Sequence, residues 1–162
     1  MKEKKITLNF ISSHLSELDI EDQKLVANAK EAFVSAYAPY SGFLVGASIL
    51  LNDGQIINGS NQENVAYPSG LCAERVAMFY VGSKFPDIKI RTIAVSVFSK
   101  SFEVTDVISP CGACRQVMAE YEEKQGQPIK VILHSPNDQV LIANQVQDLL
   151  PFMFKSPQLK KH

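Results

Sequence analysis

The sequence predicts an α/β protein with a single mixed β-sheet of about five strands and helices on both faces. Predicted strands and helices alternate along the chain after an initial hairpin, which is the pattern of such a sheet. Residues 91–99 form a continuous run of β-branched and apolar side chains, typical of a central strand covered on both faces. The chain has 162 residues, 46% of them hydrophobic, which suffices for one domain with a sizeable core.

The first predicted helix covers residues 23–37, where apolar side chains recur at helical spacing. Asp19 or Asp22 can cap its start, and Pro39 ends it. An aspartate–glycine pair at residues 53–54 is a strong hairpin signal. The other predicted elements are strands at 43–51, 55–59, 91–99, 129–133 and 139–143, and helices at 71–81, 112–124 and 145–150.

No internal repeat, low-complexity run or linker divides the chain, so we expect a single domain over residues 1–162. Within it we distinguish an N-terminal extension (1–20), a core (21–154) and a C-terminal tail (155–162). The formal net charge of −1 gives no general attraction to a phosphate backbone, which argues against nucleic acid as a partner.

The cysteine count and the apolar pattern bear on the location of the protein. Three cysteines cannot all pair in internal disulfides. No segment approaches the roughly 20 apolar residues of a membrane helix, and no secretory signal is recognisable. We therefore expect no membrane partner and a reducing, cytoplasmic location.

All three cysteines fall in two short motifs at predicted helix starts. Cys72 stands in a C-x-E motif, and Cys111 and Cys114 form a P-C-x-x-C motif. Cysteines three positions apart share a helix face, and the amide groups at a helix start favour thiolates. Three protein ligands with an open fourth position are typical of catalytic zinc. The motifs therefore predict one Zn²⁺ held by three thiolates, with a water in the fourth position.

Other interpretations of these residues stay open at this point. Cys111 and Cys114 would also suit a redox pair, and Cys72 a small buried core residue. A fourth ligand from His134 would make the site structural, although its position at a strand end favours a local hydrogen-bonding role.

Glu74 follows Cys72 by two residues. Alone, a carboxylate near a helix start is commonly a capping residue. Joined to the P-C-x-x-C motif, C-x-E is the cysteine form of the zinc deaminase signature, in which the glutamate moves protons. We therefore predict Glu74 as the catalytic acid and base.

Four blocks of the sequence follow one another in a recognisable order. They are residues 36–43 (AYAPYSGF) with 45–47 (VGA), 61–67 (NQENVAY), 72–75 (CAER) and 110–116 (PCGACRQ). In this order they resemble the small, homotetrameric cytidine deaminase family over residues 36–154. The resemblance implies that family's three-layer sandwich, one zinc per subunit and a homotetramer. It also implies a free nucleoside substrate, with hydrolytic deamination of cytidine and 2′-deoxycytidine in pyrimidine salvage.

The resemblance assigns sugar and nucleoside contacts to the first two blocks. Asn61 and Glu63 would bind the sugar 3′-hydroxyl, and Phe43 would pack against the nucleoside. The alternative is that Phe43 is an ordinary core residue and that Asn61 and Glu63 are ordinary polar loop residues.

The resemblance assigns the base contacts to three further positions. The backbone N–H of Ala73 would bind the base carbonyl, and the carbonyl of Ser109 would accept from the exocyclic amine. Phe154 would stack on the base from a neighbouring subunit, whereas local packing within the tail is its alternative.

Charge balance at the metal calls for basic residues. Three thiolates around zinc leave a net charge near −1, which makes the bound water a weaker acid. Arg75 is three residues after Cys72 and can share its helix face. By the resemblance, Arg75 and Arg115 hydrogen-bond the thiolates and draw off charge. A solvated surface role is the alternative for Arg75.

Two rival functions remain. A deaminase of a related aminated nucleoside, such as a blasticidin-type antibiotic, shares the zinc motifs. A non-catalytic zinc-stabilised binding module is the second rival, and the presence of Glu74 argues against it. The near-neutral charge and the sugar-binding pair disfavour a polynucleotide deaminase.

Overall fold

The structure of the chain is a computed structural model that describes residues 1–159; the end of the predicted tail, residues 160–162, lies outside the described residues. The strands are β1 (Ile11–His14), β2 (Phe43–Leu51), β3 (Ile56–Ser60), β4 (Ile90–Ser99), β5 (Lys130–His134) and β6 (Gln139–Ala143). They form one sheet in the order β1-β6-β5-β4-β2-β3. Neighbouring strands are antiparallel except for the parallel pair β4 and β5. The predicted mixed sheet is confirmed, with six strands instead of about five.

Three helices, α1 (Ile20–Ala32), α2 (Ala73–Lys84) and α3 (Gly112–Gln125), cover both faces of the sheet, as predicted. The helix α1 packs on one face, and α2 and α3 share the other. Successive residues of a strand point to opposite faces, so Ile93 of β4 faces α2 and α3 while Ala94 faces α1. Both are fully buried, which is why β4 reads as a continuous apolar run.

Strand β1 is not among the predicted elements. Its two serines and its histidine break any apolar alternation, and the strand forms because it pairs antiparallel with β6, with Ile11 opposite Ile142. Leu15 and Leu18, which follow it, pack onto the core beneath α1. Part of the expected N-terminal extension is therefore built into the sheet.

Three predicted helix boundaries are wrong. The side chain of Asp19 caps α1 as predicted, accepting a hydrogen bond from a first-turn amide (2.8 Å), but α1 stops in a 3-10 turn well before residue 37. Gly82 does not end α2, which continues to Lys84. The glycine is explained by packing instead, because the ring of Tyr121 on α3 lies against it and leaves no room for a side chain. The predicted last helix, residues 145–150, is reduced to one 3-10 turn.

The N-termini of α2 and α3 meet at one end of the sheet. Because β2 runs antiparallel to β3 and β4, its start lies beside their ends, with Phe43 opposite Ser99 and Gly46 opposite Ser60. The loops that leave β3 and β4 lead into α2 and α3. This topology brings the two cysteine motifs together. Among the helices of residues 1–159, none has the length and apolarity needed to cross a membrane.

Candidate active site

The three cysteines come together where α2 and α3 begin. Cys72 immediately precedes α2, Cys111 immediately precedes α3, and Cys114 lies in the first turn of α3. The Sγ of Cys111 is 3.8 Å from that of Cys72 and 3.5 Å from that of Cys114. All three sulfurs lie within 4.8 Å of one another, and none is in a disulfide.

This spacing fits a single zinc ion. Tetrahedral zinc binds thiolates at about 2.3 Å, which places two ligand sulfurs about 3.8 Å apart. Cys114 is buried, Cys72 is partly buried and Cys111 is exposed, so the cluster is open on one side. An open side distinguishes a catalytic zinc site from a closed structural one.

His134 does not complete the cluster. Alternation along β5 places it on the α1 side of the sheet, opposite the cysteines. Its Nδ1 lies 2.9 Å from the hydroxyl of Ser96, and its Nε2 lies 2.9 Å from a carboxylate oxygen of Asp138. The predicted local hydrogen-bonding role is confirmed.

The three sulfurs need a cation before all of them can be thiolates. Hydrogen bonds from Cys114, and then from Arg75 and Cys111, lower the pKa of Cys72 to about 5. The pKa of the Cys114 thiol, in contrast, is raised far above its usual range by its hydrogen bond to Cys72, by burial and by the nearby Glu74 carboxylate. One sulfur therefore ionises readily and its neighbour keeps a proton, which a bound divalent ion would release.

The two predicted charge-balancing arginines differ in what they touch. The Nη2 of Arg75 lies 3.8 Å from the Sγ of Cys72 and 3.5 Å from the carbonyl oxygen of Gly70, and its buried Nε has no hydrogen-bond partner among residues 1–159. Arg115 instead donates from Nε to the carbonyl of Pro110 (2.7 Å) and from Nη1 to the carbonyl of Leu149 (3.2 Å). Arg115 was predicted to contact a thiolate, but these two contacts are with backbone oxygens.

Glu74 lies in the first turn of α2 and is 4% exposed. Burial raises the pKa of its carboxyl. A carboxyl with a raised pKa can more readily both accept and donate a proton near neutral pH. Glu74, Cys72 and Cys111 border the same cavity. A buried carboxyl is thus held on the wall of the cavity that two of the three cysteines also line.

The cavity over the cysteines measures about 660 Å³, within the range of small-molecule sites. Ala73, Cys114, Arg115 and Phe154 are not among the residues that line it, and Ala73 is fully buried. The predicted residues on its walls are Phe43, Asn61, Glu63, Cys72, Glu74, Arg75, Ser109 and Cys111.

The chain is similar to known proteins in sequence and in fold. The family model for the cytidine and deoxycytidylate deaminase zinc-binding region matches residues 19–126. The cytidine deaminase of Sporosarcina psychrophila is 45% identical over 107 residues, which are 64% of this chain and 71% of that protein. The chain belongs to the cytidine deaminase family.

Two further comparisons extend this family relationship over more of the chain. The probable cytidine deaminase of Dictyostelium discoideum is 33% identical over 147 residues, which are 86% of this chain and 87% of that protein. The crystal structure of cytidine deaminase from Burkholderia pseudomallei superimposes with a TM-score of 0.70 at 38% identity. That match covers 82% of this chain and 98% of that chain.

In this member of the cytidine deaminase family, Asn61 and Glu63 hold the pocket wall together. Both ends of the Asn61 amide bond to the backbone at the start of β2, at 2.8 and 2.9 Å. The Glu63 carboxylate accepts from the hydroxyl of Ser41 (2.5 Å) and the amide of Tyr40 (2.9 Å), and the Ser41 bond is the main cause of its lowered pKa. No sequence pattern predicts that these two side chains hold the pocket wall together.

Phe102 is a supporting residue that sequence reasoning missed. Its ring stacks on that of Phe43, with centroids 5.9 Å apart and planes 7° from parallel. The hydroxyl of Ser99 accepts from the Phe102 amide (3.2 Å) and fixes the loop that carries the ring. Phe102 belongs to no recognisable motif, so only the fold places it behind the pocket wall.

Phe154 lies away from the pocket of its own chain, with 73% of its surface exposed. The Gln116 side chain bonds to both the amide (3.0 Å) and the carbonyl (2.8 Å) of Phe154. Gln116 is the last residue of the 110–116 block, and the sequence pattern predicts no role for its side chain.

Proposed function

We propose that the chain catalyses the zinc-dependent hydrolytic deamination of cytidine and 2′-deoxycytidine, giving uridine or 2′-deoxyuridine and ammonia. The observation that carries this proposal is the open three-sulfur cluster with buried Glu74 beside it, on the wall of a nucleoside-sized cavity. Cys72, Cys111 and Cys114 would hold the ion. When bound, zinc would supply a hydroxide at neutral pH by lowering the pKa of a water.

Glu74 is the proton carrier of the proposed reaction. It accepts a proton from the attacking water and delivers it to ring nitrogen N3, while the oxygen adds to C4. It then carries the second proton to the leaving amine, so one water is consumed for each ammonia released. The raised pKa of Glu74 supports both the taking and the giving of a proton.

The substrate contacts in this proposal are those that the family resemblance assigns, and most of the residues concerned lie on the pocket wall. Asn61 and Glu63 bind the sugar 3′-hydroxyl and Phe43 packs against the nucleoside. The carbonyl of Ser109 accepts from the exocyclic amine. The amide of Ala73, in the first turn of α2, has no acceptor within its helix and is available for the base carbonyl.

Arg75 is the residue we assign to balance thiolate charge, since its guanidinium lies beside Cys72 and carries a buried Nε without a partner. Arg115 acts on the same site less directly, by fixing the carbonyl of Pro110 ahead of the second cysteine motif.

The active assembly in this proposal is a cytoplasmic homotetramer, in which Phe154 of one subunit stacks on the base bound by another. Support comes from the exposure of Phe154 and from its place outside its own pocket. We place the catalytic core at residues 21–154, with residues 1–20 as an extension.

Spectrophotometric turnover of cytidine, with ammonia release measured in parallel, tests the function. We expect turnover by the purified protein, its loss on chelation and its return with added zinc. A blasticidin-type nucleoside is assayed beside cytidine. A zinc-loaded protein that deaminates the antibiotic alone would replace the substrate, and one that deaminates neither would favour a binding module.

A further inference from the structure

Gln116 holds the backbone of a single distant residue with both ends of its side-chain amide. Its Nε2 donates to the carbonyl oxygen of Phe154 (2.8 Å), and its Oε1 accepts from the amide of the same residue (3.0 Å). Two antiparallel hydrogen bonds to one residue fix its direction as well as its position, as a pair of ladder bonds does between strands.

This pairing determines the path of the chain near Phe154. Residues 153–156 have no regular secondary structure, so no backbone ladder orders them. The neighbouring residue Arg115 bonds to the carbonyl of Leu149 (3.2 Å). Arg115 and Gln116 directly follow Cys114, so the helix turn that bears a proposed zinc ligand also anchors the segment that bears Phe154.

The ring that is held in this way is left in contact with water. Phe154 is 73% exposed and Phe152 is 79% exposed. Exposing an aromatic ring forgoes the gain of burying it, so these backbone bonds do not serve packing within the subunit. An ordered backbone with an exposed ring suits presentation to another surface.

We propose that Gln116 is a positioning residue, which sets Phe154 for insertion at the pocket of a second copy of this chain. This inference rests on the proposed function, in which Phe154 reaches the base bound by a neighbouring subunit. Gln116 then acts on substrate binding in the neighbour and not in its own pocket.

Loss of the Gln116 amide frees Phe154 to sample other positions, and nucleoside binding must then order it again. The cost of ordering a freed side chain and its segment corresponds to about a 3- to 10-fold change in affinity. Because the ring contacts a base in the ground state and in the transition state alike, KM should rise by this factor while kcat changes little.

Four full-length variants test this: Gln116→Leu, Phe154→Ala, the double variant, and Gln147→Leu as a matched control. Gln147 lies in the same C-terminal region, is exposed, and makes no side-chain hydrogen bond within residues 1–159. We expect Gln116→Leu to raise KM at full zinc content, to add nothing in the Phe154→Ala background, and Gln147→Leu to behave as wild type. A full additional effect in the Phe154→Ala background would overturn the proposal.

Mixed oligomers separate action within a subunit from action across an interface. Glu74→Gln chains, which keep Phe154, are combined with Phe154→Ala chains, which keep Glu74. We expect the mixture to recover a low KM, and adding Gln116→Leu to the Glu74→Gln chain to remove that recovery. Recovery that depends instead on Gln116 of the Phe154→Ala chain would overturn the proposal.

Hydrogen exchange at the amide of residue 154 gives a result that does not depend on turnover. Gln116→Leu should speed this exchange and Gln147→Leu should not. If the wild-type protein left cytidine unchanged while Gln116→Leu still sped the exchange, the proposed function would be overturned and only the ordering of Phe154 by Gln116 would stand. Unchanged exchange in Gln116→Leu would overturn the role of Gln116 and leave the proposed function standing.

Discussion

Cys72 and Cys111 occupy equivalent positions, each being the residue immediately before a helix, and their Sγ atoms lie 3.8 Å apart. Two helix N-termini therefore converge on one cluster of sulfurs. Each carries the equivalent of about half a positive charge, which stabilises thiolates over thiols. The convergence helps to balance the negative charge that three thiolates bring to a divalent ion.

We expect zinc removal to lower the thermal stability of the protein, because the folded chain then loses the free energy of binding the ion, which the unfolded chain lacks a preformed site to gain. A ligand present at 100 times its dissociation constant contributes about 2.7 kcal/mol to the free energy of unfolding. For a chain of this size that is roughly 5–10 °C in Tm. Calorimetry before and after chelation measures the shift.

The control for this prediction is Cys114→Ser, which removes the most deeply buried of the three sulfurs. This variant should bind less than one zinc per chain by metal analysis. Its Tm should respond little to chelation, and a wild-type shift in this variant would contradict the proposed ligand set.

Glu74→Gln should keep its zinc and lose turnover by about 10²-fold or more, because an amide cannot carry a proton between water and the base. Steady-state kinetics and metal analysis on the same preparation measure both properties. Glu103→Gln, at an exposed position away from the pocket, should leave both unchanged. Near-normal turnover in Glu74→Gln would reject the role of this residue.

Arg75→Gln and Arg115→Gln should have different effects, because the two side chains touch different groups. Arg75→Gln removes the cation beside Cys72 and should keep zinc but lower kcat roughly 10-fold, equivalent to about 1.4 kcal/mol. Arg115→Gln removes bonds to two carbonyls and should chiefly lower the free energy of unfolding, by about 1 kcal/mol.

Kinetics and urea unfolding of both arginine variants, each with zinc content measured, distinguish these effects. Unchanged turnover in fully loaded Arg75→Gln would count against charge balancing by this residue. A loss of kcat confined to Arg115→Gln would reverse the assignment.

Local signals were enough to predict much of the fold. The bounds of β2 and β6 were predicted to the residue, since each is an apolar run flanked by turn residues. The end of α3 followed from Gly126, which adopts φ 63°, a conformation that favours glycine. Strand β1 escaped prediction because it depends on β6, well over 100 residues away, and not on its own pattern.

The residues of the candidate site also fall into those that local sequence predicts and those that depend on the tertiary fold. Cys72, Glu74 and the P-C-x-x-C pair were predictable because their residue types and spacing form a signature typical of zinc deaminases. The partners of Arg115 and the stacking of Phe102 behind the pocket wall were not, because each depends on segments that only the tertiary fold brings together.

Gly46→Ala should lower the free energy of unfolding by about 3 kcal/mol, the upper part of the range for overpacking. A methyl group at Gly46 would overlap backbone atoms of Ala29 in α1 and of Phe33, the residue that follows α1, which is why β2 carries glycine where the end of α1 crosses it. The control is Gly112→Ala, since a methyl group there would meet no heavy atom within 4 Å. Urea unfolding measures both variants, and equal stability of the two would contradict this packing.

His134 should make the protein less stable as the pH falls below neutrality. Burial lowers the pKa of His134 from its usual value of about 6.5, although its bond to Asp138 opposes this shift and Lys30 adds to it. Between the folded-state pKa and about pH 6.5, the unfolded chain binds a proton that the folded chain does not. The free energy of unfolding is therefore at its full value above this window and declines as the pH falls through it.

The slope from one such proton is at most about 1.4 kcal/mol per pH unit. Urea unfolding of zinc-loaded protein from pH 8 to pH 5 measures it in the wild type and in His134→Gln. The variant should be less stable at pH 8, because Ser96 and Asp138 lose their partner, yet it should lose less stability on acidification. Parallel curves for the two proteins would show that the acid sensitivity arises elsewhere, with the cysteine cluster as the next group to test.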